Sequence, residues 1–201
     1  MARAGLTADR VTEAAAELAD EVGFDNITVS ALARRFGVAD ASLYSHVKNL
    51  QDLRTRVAVL AARELADRLS DATAGRSGKD SLTGFANAWR DFALTRPGRY
   101  QATQMPIGPD VVAASQGHQR IMSLTYAHLS AYELPEPDLT DAIRLLRSTY
   151  QGFFELEASG GFQHARSLQA SWTKILDALD SALRHWQVSD RPPGNEHESD
   201  H

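Results

Sequence analysis

A cluster of polar side chains between Thr28 and Lys48 is suited to binding anionic oxygens. Hydroxyl, phenol, imidazole and ammonium groups bind the anionic oxygens of a phosphate backbone, and short polar side chains reach base edges. Asp40 would be repelled by phosphates, so we expect it to cap a helix instead. The predicted phosphate contacts are Thr28, Tyr44, His46 and Lys48, and the predicted base contacts are Ser30, Ala41, Ser42 and Ser45.

Two short helical patterns on either side of a turn would position these side chains. The first spans 29–36 and follows a threonine suited to the N-cap, and Gly37 can take the left-handed geometry that ends a helix. The second spans about 40–47, where Leu43 and Val47 lie four apart and face inward. Such a pair holds the second helix rigidly and leaves its other face free to enter a major groove, which predicts a helix-turn-helix.

Three runs in this region carry a resemblance to a known family. They are T-V-x-x-L-A at 28–33, F-G-V at 36–38 and L-Y-S-H-V-K-N at 43–49. With the helix that precedes them, they make about the first 60 residues resemble the TetR family of transcriptional regulators. The resemblance implies a DNA-binding regulator, usually a repressor, that binds a palindromic operator as a homodimer.

A second, looser resemblance lies towards the C-terminus. The run STYQGFFELEASGGF at 148–162 is similar to the WHG type of ligand-binding domain that some TetR-type regulators contain. The His-Gly pair of that motif stands here as Gln151-Gly152, so any role of the histidine cannot be transferred. The resemblance implies that a small effector, not a resident cofactor, binds the C-terminal part.

Composition sets limits on the class of protein. Of the 201 residues, 43% are hydrophobic and 23% charged, which is ordinary for a globular protein. There is no cysteine, which excludes disulfides and permits a reducing compartment without requiring one. No apolar run approaches the roughly 18 residues of a membrane span, and the N-terminus does not read as a signal peptide. We therefore predict a cytoplasmic protein without membrane contact.

The net charge is the one feature that counts against nucleic-acid binding. It is −5 for the whole chain, whereas nucleic-acid binders are more often basic. Between Thr28 and Lys48 the balance reverses to three basic residues and one acidic residue. We expect modest non-specific affinity, with more of the binding coming from shape and hydrogen bonds than from counterion release.

Helical periodicity extends through the rest of the chain, broken where proline or glycine forbids continuation, and no strand pattern is visible. The predicted fold is all-α, with a helix-turn-helix head joined by a long helix, about 49–69, to a helical bundle. We predict a DNA-binding domain at 5–65, a ligand-binding and dimerisation domain at 66–187 and a disordered tail at 188–201.

Aromatic and methionine side chains recur at helical spacing in the predicted bundle. Any one of them is explained by core packing, but together they could line a pocket for a small lipophilic effector. Arg147 is the candidate polar anchor of that pocket. The full predicted set is Trp89, Phe92, Tyr100, Met105, Met122, Tyr126, Arg147, Tyr150, Phe153 and Phe154.

The last two helical patterns, about 138–158 and 165–186, are predicted to form the homodimer interface as a four-helix bundle. An apolar stripe on the second suits that use, and consists of Leu168, Trp172, Ile175, Leu176, Leu179 and Leu183. An effector bound in the bundle would then shift the two heads away from the spacing of the grooves.

Two other classes of protein remain as alternatives. The head of a helical interaction module would bind another protein instead of DNA, and the acidic net charge is its only support. A bundle enzyme would need clustered carboxylates, but Glu155 and Glu157 lie two apart and face different directions. Ser45 and His46 are adjacent and point about 100° apart, so they form no nucleophile-base pair. We predict no catalytic and no metal-binding residues.

Overall fold

The computed structural model describes residues 6–187, which form ten α-helices and two short 3₁₀ turns and contain no strand. The helices are α1 (Ala8–Val22), α2 (Val29–Phe36), α3 (Asp40–Leu43), α4 (Leu50–Thr73), α5 (Gly78–Thr95), α6 (Pro97–Gln104), α7 (Pro109–Ala114), α8 (Gln116–Leu129), α9 (Asp138–Ala158) and α10 (Leu168–Arg184). The predicted all-α fold is confirmed. Within 6–187 no helix is both long enough and apolar enough to cross a bilayer. The tail predicted at 188–201 lies outside the described residues.

The head consists of α1, α2 and α3, and its local structure follows from its caps. Thr28 is the N-cap of α2, and its hydroxyl accepts the backbone N–H of Ala31 at 3.1 Å. Gly37 ends α2 at φ 67°, in the left-handed region that favours glycine. Leu43 and Val47 are buried, as predicted. The helix-turn-helix therefore forms where the sequence predicts it.

The second helix of the pair is shorter than its predicted span of 40–47. It ends at Leu43, and a turn continues through His46. The reason lies in the next hydrogen bonds, because the backbone N–H of Lys48 donates to the Asp52 carboxylate at 3.0 Å instead of to a helical carbonyl. The N–H of Asp52 in turn donates to the side chain of Asn49, the N-cap of α4.

Helix α4 connects the head to the bundle without a break. It runs through the predicted domain boundary between 65 and 66 and buries Leu53 and Val57 on the head side and Leu65 and Leu69 on the bundle side. Because one rigid helix belongs to both parts, a displacement of the bundle moves the start of α4, and α3 lies directly before it.

The bundle places α5 and α8 against α4, with α9 and α10 packed on α5. The stripe on α10 that was predicted to form a dimer contact lies largely inside this packing. Of that set, Trp172, Leu176, Leu179 and Leu183 are all less than 10% exposed within one protomer, and the indole N–H of Trp172 donates to Asn87 at 2.8 Å. Leu168 and Ile175 are partly buried against the same core. These side chains fill the protomer's own core, so they leave little apolar surface for a second subunit.

Helix α6 forms a close seam between the bundle and the head. Gly98 packs directly on the backbone of Ala19 in α1, where no side chain would fit. The side-chain oxygen of Gln101 accepts the backbone N–H of Phe24 at 3.0 Å. Since α6 touches α1 and α4 as well as α5, the head is held against the bundle at this seam and not only through α4.

The Arg99 guanidinium lies inside the seam and is 3% exposed. It forms salt bridges with Glu13 at 2.7 Å, with Glu64 at 3.0 Å and with Asp20. Burial alone would lower the pKa of Arg99, but these carboxylates outweigh it and the pKa is raised. Burial raises the pKa of the Glu64 carboxyl despite the neighbouring cation. We call Arg99 and its three carboxylates the seam cluster.

The close approach of α6 to α1 leads to a stability prediction. Gly98→Ala would place a methyl group into the backbone of Ala19, and such overpacking costs about 1–3 kcal/mol of the free energy of unfolding. Thermal unfolding of the two chains measures this. Gly108→Ala is the matched control, because a Cβ there meets nothing within 4 Å. Equal melting temperatures for Gly98→Ala and the control would show that the seam is not closely packed.

Candidate nucleic-acid interface and effector cavity

The exposed side of the helix-turn-helix carries most of the predicted DNA contacts, and we call it the reading surface. It consists of the predicted contacts Thr28, Ser30, Ala41, Ser42, Tyr44, Ser45 and Lys48, all of them exposed. His46 is half-buried. Tyr44 is 51% exposed, so its ring is not a core residue and its phenol is accessible. The structure thus places the predicted residues on one accessible surface backed by buried Leu43 and Val47.

Hydrogen bonds within the reading surface determine whether its hydroxyl groups remain able to donate or accept further hydrogen bonds. The Ser45 hydroxyl donates to the carbonyl of Ser42 at 2.7 Å, which leaves its oxygen lone pairs to accept a hydrogen bond. The Ser30 hydroxyl donates to the Asp40 carboxylate. Asp40 makes no capping hydrogen bond, and Ala39 occupies the N-cap, so the predicted capping role of Asp40 is wrong. Its carboxylate instead holds Ser30 in place across the turn.

Arg34 is a further candidate contact, which the sequence pattern did not indicate. It lies one helical turn after Ser30 and is exposed, and no hydrogen bond or salt bridge within 6–187 uses its guanidinium. Its neighbour Arg35 is already paired within the protein, because it forms salt bridges with Glu17 at 2.7 Å and with Glu21 at 2.8 Å. The spacing from Ser30 was the available signal, but sequence alone could not show which of the two arginines is paired.

The bundle contains an apolar cavity of about 190 Å³ between α5, α8 and α9. Five predicted ligand contacts line it, namely Trp89, Met122, Tyr126, Arg147 and Tyr150. The sequence pattern did not indicate the other lining residues, which are Phe85, Ile121, Thr125, His128, Ile143 and Leu146. Most of these look like ordinary core positions in a helical pattern, so periodicity gave no signal for them.

The remaining predicted ligand contacts lie elsewhere. Tyr100 and Phe154 line a narrow space next to the cavity, which they share with Trp89, Arg147 and Tyr150. Phe92 is fully buried beneath the guanidinium of Arg68, and Phe153 packs against Trp172 with ring centroids 4.8 Å apart. Met105 is partly buried against the core. Phe92, Met105 and Phe153 do not line the cavity, so for them core packing is the better explanation.

The polar groups around the cavity are uncharged except for Arg147. Burial lowers the pKa of His128 to about 4, and its ring stacks on Phe85 with centroids 4.0 Å apart. Burial raises the pKa of the Tyr150 phenol, and burial with the nearby Glu155 carboxylate raises that of Tyr100 to about 12. At neutral pH the cavity therefore presents neutral hydrogen-bonding groups on an apolar wall. No cluster of three or more metal-ligating side chains occurs among residues 6–187.

An exposed reading surface on a helix-turn-helix, joined by one continuous helix to a bundle with an apolar cavity, defines the class of helix-turn-helix regulators. Comparison with known proteins agrees with this. Residues 11–57 match the family described as "Bacterial regulatory proteins, tetR family", and residues 82–179 match "Tetracyclin repressor-like, C-terminal domain". YobS of Bacillus subtilis (strain 168), an uncharacterized HTH-type transcriptional regulator, is 31% identical over 90% of this chain and 91% of its own length. The chain belongs to the TetR family of transcriptional regulators, and its head is a DNA-binding domain.

Solved structures share the fold at lower sequence identity. A TetR variant from Acinetobacter baumannii AYE in complex with minocycline is 21% identical with a TM-score of 0.67, over 92% of this chain and all of that chain. BioQ with its double-stranded DNA operator is 21% identical with a TM-score of 0.61, over 90% and 99% of the two chains. The architecture of head, connecting helix and bundle is therefore common to these regulators.

The exposed ammonium of Lys48 leads to a prediction about salt dependence. Lys48→Ala should weaken DNA binding uniformly across sequences and reduce the slope of log affinity against log salt by about one, because one phosphate contact is lost. Titration of labelled duplex at several salt concentrations measures the slope. Lys174→Ala removes another exposed charge, from α10, and should leave the slope unchanged. A slope unaltered by Lys48→Ala would exclude Lys48 from the interface.

Proposed function

We propose that this chain is a ligand-responsive repressor that binds a palindromic operator as a homodimer. The observation that carries the proposal is the reading surface, whose polar side chains are exposed while Leu43 and Val47 hold it from behind. A single head contacts one half-site. Two heads related by a twofold axis reach successive major grooves on one face of the duplex, about 34–36 Å apart. The shared fold of BioQ, which was crystallised with its operator, supports this mode of binding.

The outer face of α9 is the better candidate for the dimer contact than the stripe on α10. It carries Leu145 and Leu156, which are 37% and 47% exposed, on either side of Thr149 and Gly152 at helical spacing. A Cβ at Gly152 would meet nothing within 4 Å, so the middle of this face is open. Small side chains flanked by exposed leucines let two helices approach closely, which fits the predicted four-helix interface.

The response to a ligand would pass through α6. The Tyr100 ring packs edge-on against Phe154, with centroids 6.1 Å apart. Both rings lie beside the apolar cavity between α5, α8 and α9, which we call the effector cavity. The preceding residue, Arg99, belongs to the seam cluster that holds α1. A ligand that displaces α6 would therefore change how the head sits on α4. Coupling of about 1–3 kcal/mol, which is usual between two linked sites, alters DNA affinity by roughly 5- to 150-fold.

Selection of bound duplexes from a random DNA library tests the proposal directly. We expect the selected sequences to share an inverted repeat whose half-sites lie about one helical turn apart, since a symmetric dimer reads both. Ser42→Ala should relax the preference at particular base pairs, whereas Lys48→Ala should not. No enrichment from a folded dimer would contradict the proposal and favour a head that binds another protein.

The dimer surface on α9 is tested by charge. Leu156→Glu on both subunits would bring two carboxylates into an apolar contact, so we expect dissociation at micromolar concentration in sedimentation velocity. Leu94→Glu is the matched control, because Leu94 is 42% exposed on α5 and belongs to no proposed interface. If both variants sediment like the unaltered chain, α9 does not form the interface.

A further inference from the structure

Three buried polar atoms around the effector cavity have no hydrogen-bond partner. They are the indole nitrogen of Trp89, Nε2 of His128 and the phenol oxygen of Tyr150. Within residues 6–187 two more buried side-chain atoms share this property, the guanidinium Nε atoms of Arg54 and Arg99, and that of Arg99 still lies 3.0 Å from Glu64. Unsatisfied buried polar groups are uncommon and costly in proteins, and here three of them line one cavity.

The hydrogen-bonding role of each of these atoms follows from its chemistry. The Trp89 indole and the Tyr150 phenol each carry a proton to donate. Nδ1 of His128 lies 3.0 Å from the carbonyl oxygen of Leu124, which can only accept, so Nδ1 carries the ring proton. Nε2 of the neutral ring is therefore an acceptor. A molecule that satisfies all three must accept from two donors and donate to one acceptor. One hydroxyl group can donate to Nε2 and accept from the phenol, and one further acceptor atom can bind the indole N–H.

The rest of the cavity wall restricts the shape and polarity of the occupant. Phe85, Ile143 and Leu146 form apolar surface, and the His128 ring stacks on Phe85 at an interplanar angle of 8°. A dry cavity of about 150 Å³ is enough to bind benzene. The cavity here is about 190 Å³, so it fits one substituted ring or two fused rings. Flat aromatic molecules suit such a wall better than flexible chains, because they lose less conformational entropy on binding.

Arg147 supplies a charge at the edge of this apolar space. It is exposed, and within the described part of the chain no carboxylate pairs with it and no hydrogen bond uses its guanidinium. It lines the cavity and two neighbouring spaces, as Trp89 does. Guanidinium groups bind carboxylates in a bidentate manner, and a carboxylate at an exposed edge avoids the cost of burying its charge.

We propose that the cavity binds a hydroxylated aromatic monocarboxylate, with its ring against Phe85, its hydroxyl between His128 and Tyr150, and its carboxylate on Arg147. This inference rests on the proposed ligand response and names the class of its effector. The hydroxyl supplies the missing hydrogen bonds of His128 and Tyr150, and a carboxylate oxygen is the further acceptor for the indole N–H of Trp89, which lines the same spaces as Arg147. Purely apolar molecules of the same size leave those polar atoms unsatisfied and bind more weakly.

Three naphthalene probes test the proposal by calorimetry on the full chain without DNA. They are 6-hydroxy-2-naphthoate, 2-naphthoate without the hydroxyl, and 2-naphthol without the carboxylate. We expect 6-hydroxy-2-naphthoate to bind at least about fivefold more tightly than either of the others, since each lacks one polar interaction. Equal affinity of all three, or binding of none, overturns the proposal.

Two variants assign the polar interactions to residues. Tyr150→Phe should weaken 6-hydroxy-2-naphthoate about three- to tenfold and leave 2-naphthoate nearly unchanged, and its melting temperature should hold or rise because an unsatisfied hydroxyl is removed. Arg147→Gln should weaken the binding of both carboxylate probes and leave the binding of 2-naphthol unchanged. Tyr132→Phe is the matched control, because the Tyr132 hydroxyl donates to Asp180 at 2.7 Å outside the cavity. It should lower the melting temperature and leave the affinity of every probe unchanged.

The outcomes separate this inference from the proposed function. If the probes bind and the variants show the expected pattern, the inference is supported even when the affinity for the selected DNA does not change. An unchanged DNA affinity would count only against the proposed ligand response. Sequence-selective DNA binding together with failure of all probes overturns the inference and leaves the DNA-binding function in place. A loss of probe affinity in Tyr132→Phe equal to that in Tyr150→Phe would also overturn it, because the effect would then be structural.

Discussion

One buried guanidinium holds the head of this protein on its bundle. Arg99 enters the seam from α6 and meets carboxylates from both α1 and α4, so a single side chain ties three helices together. Removing one partner of a buried ion pair costs about 3–5 kcal/mol, so loss of this guanidinium would destabilise the seam, where Asp20 is only 12% exposed. The head alone buries little apolar surface, and α4 could bend or tilt without a second attachment. The orientation of the reading surface therefore depends on the seam cluster as much as on α4.

The same helix carries the seam and borders the cavity. Arg99 and Tyr100 are neighbours in α6, and they face different parts of the molecule: the first contacts the head, the second packs against Phe154 of α9. Because α6 is a rigid helix of about two turns, a shift of the helix that changes one of these contacts also disturbs the other. Because Gly98 packs closely on Ala19, there is little free space between α6 and α1 to absorb such a movement. This arrangement gives the proposed ligand response a physical route.

The features that the sequence predicted are local, and the features it missed depend on tertiary contacts. Thr28 caps α2 and Gly37 ends it because of their own chemistry, and these predictions are confirmed. The apolar stripe containing Trp172 was also visible, but periodicity says that a face is buried and not which surface covers it. Within one protomer, most of this stripe is covered by the protomer's own core. His128 looks like an isolated polar residue in a helix until the fold brings it beside Phe85. Arg99 likewise needed the fold, because its carboxylates come from distant positions.

The acidic net charge of the chain is a poor guide to its DNA binding, and the structure gives the reason. Four carboxylates of α1 are paired within the protein, those of Glu13 and Asp20 with the buried Arg99 and those of Glu17 and Glu21 with Arg35 on the surface. Paired carboxylates contribute little field at the reading surface beyond about 8–10 Å at physiological salt. Lys48 and Arg34, in contrast, keep exposed cations on that surface. Because phosphates respond to the local field, the position of each charge matters more than the sum of −5.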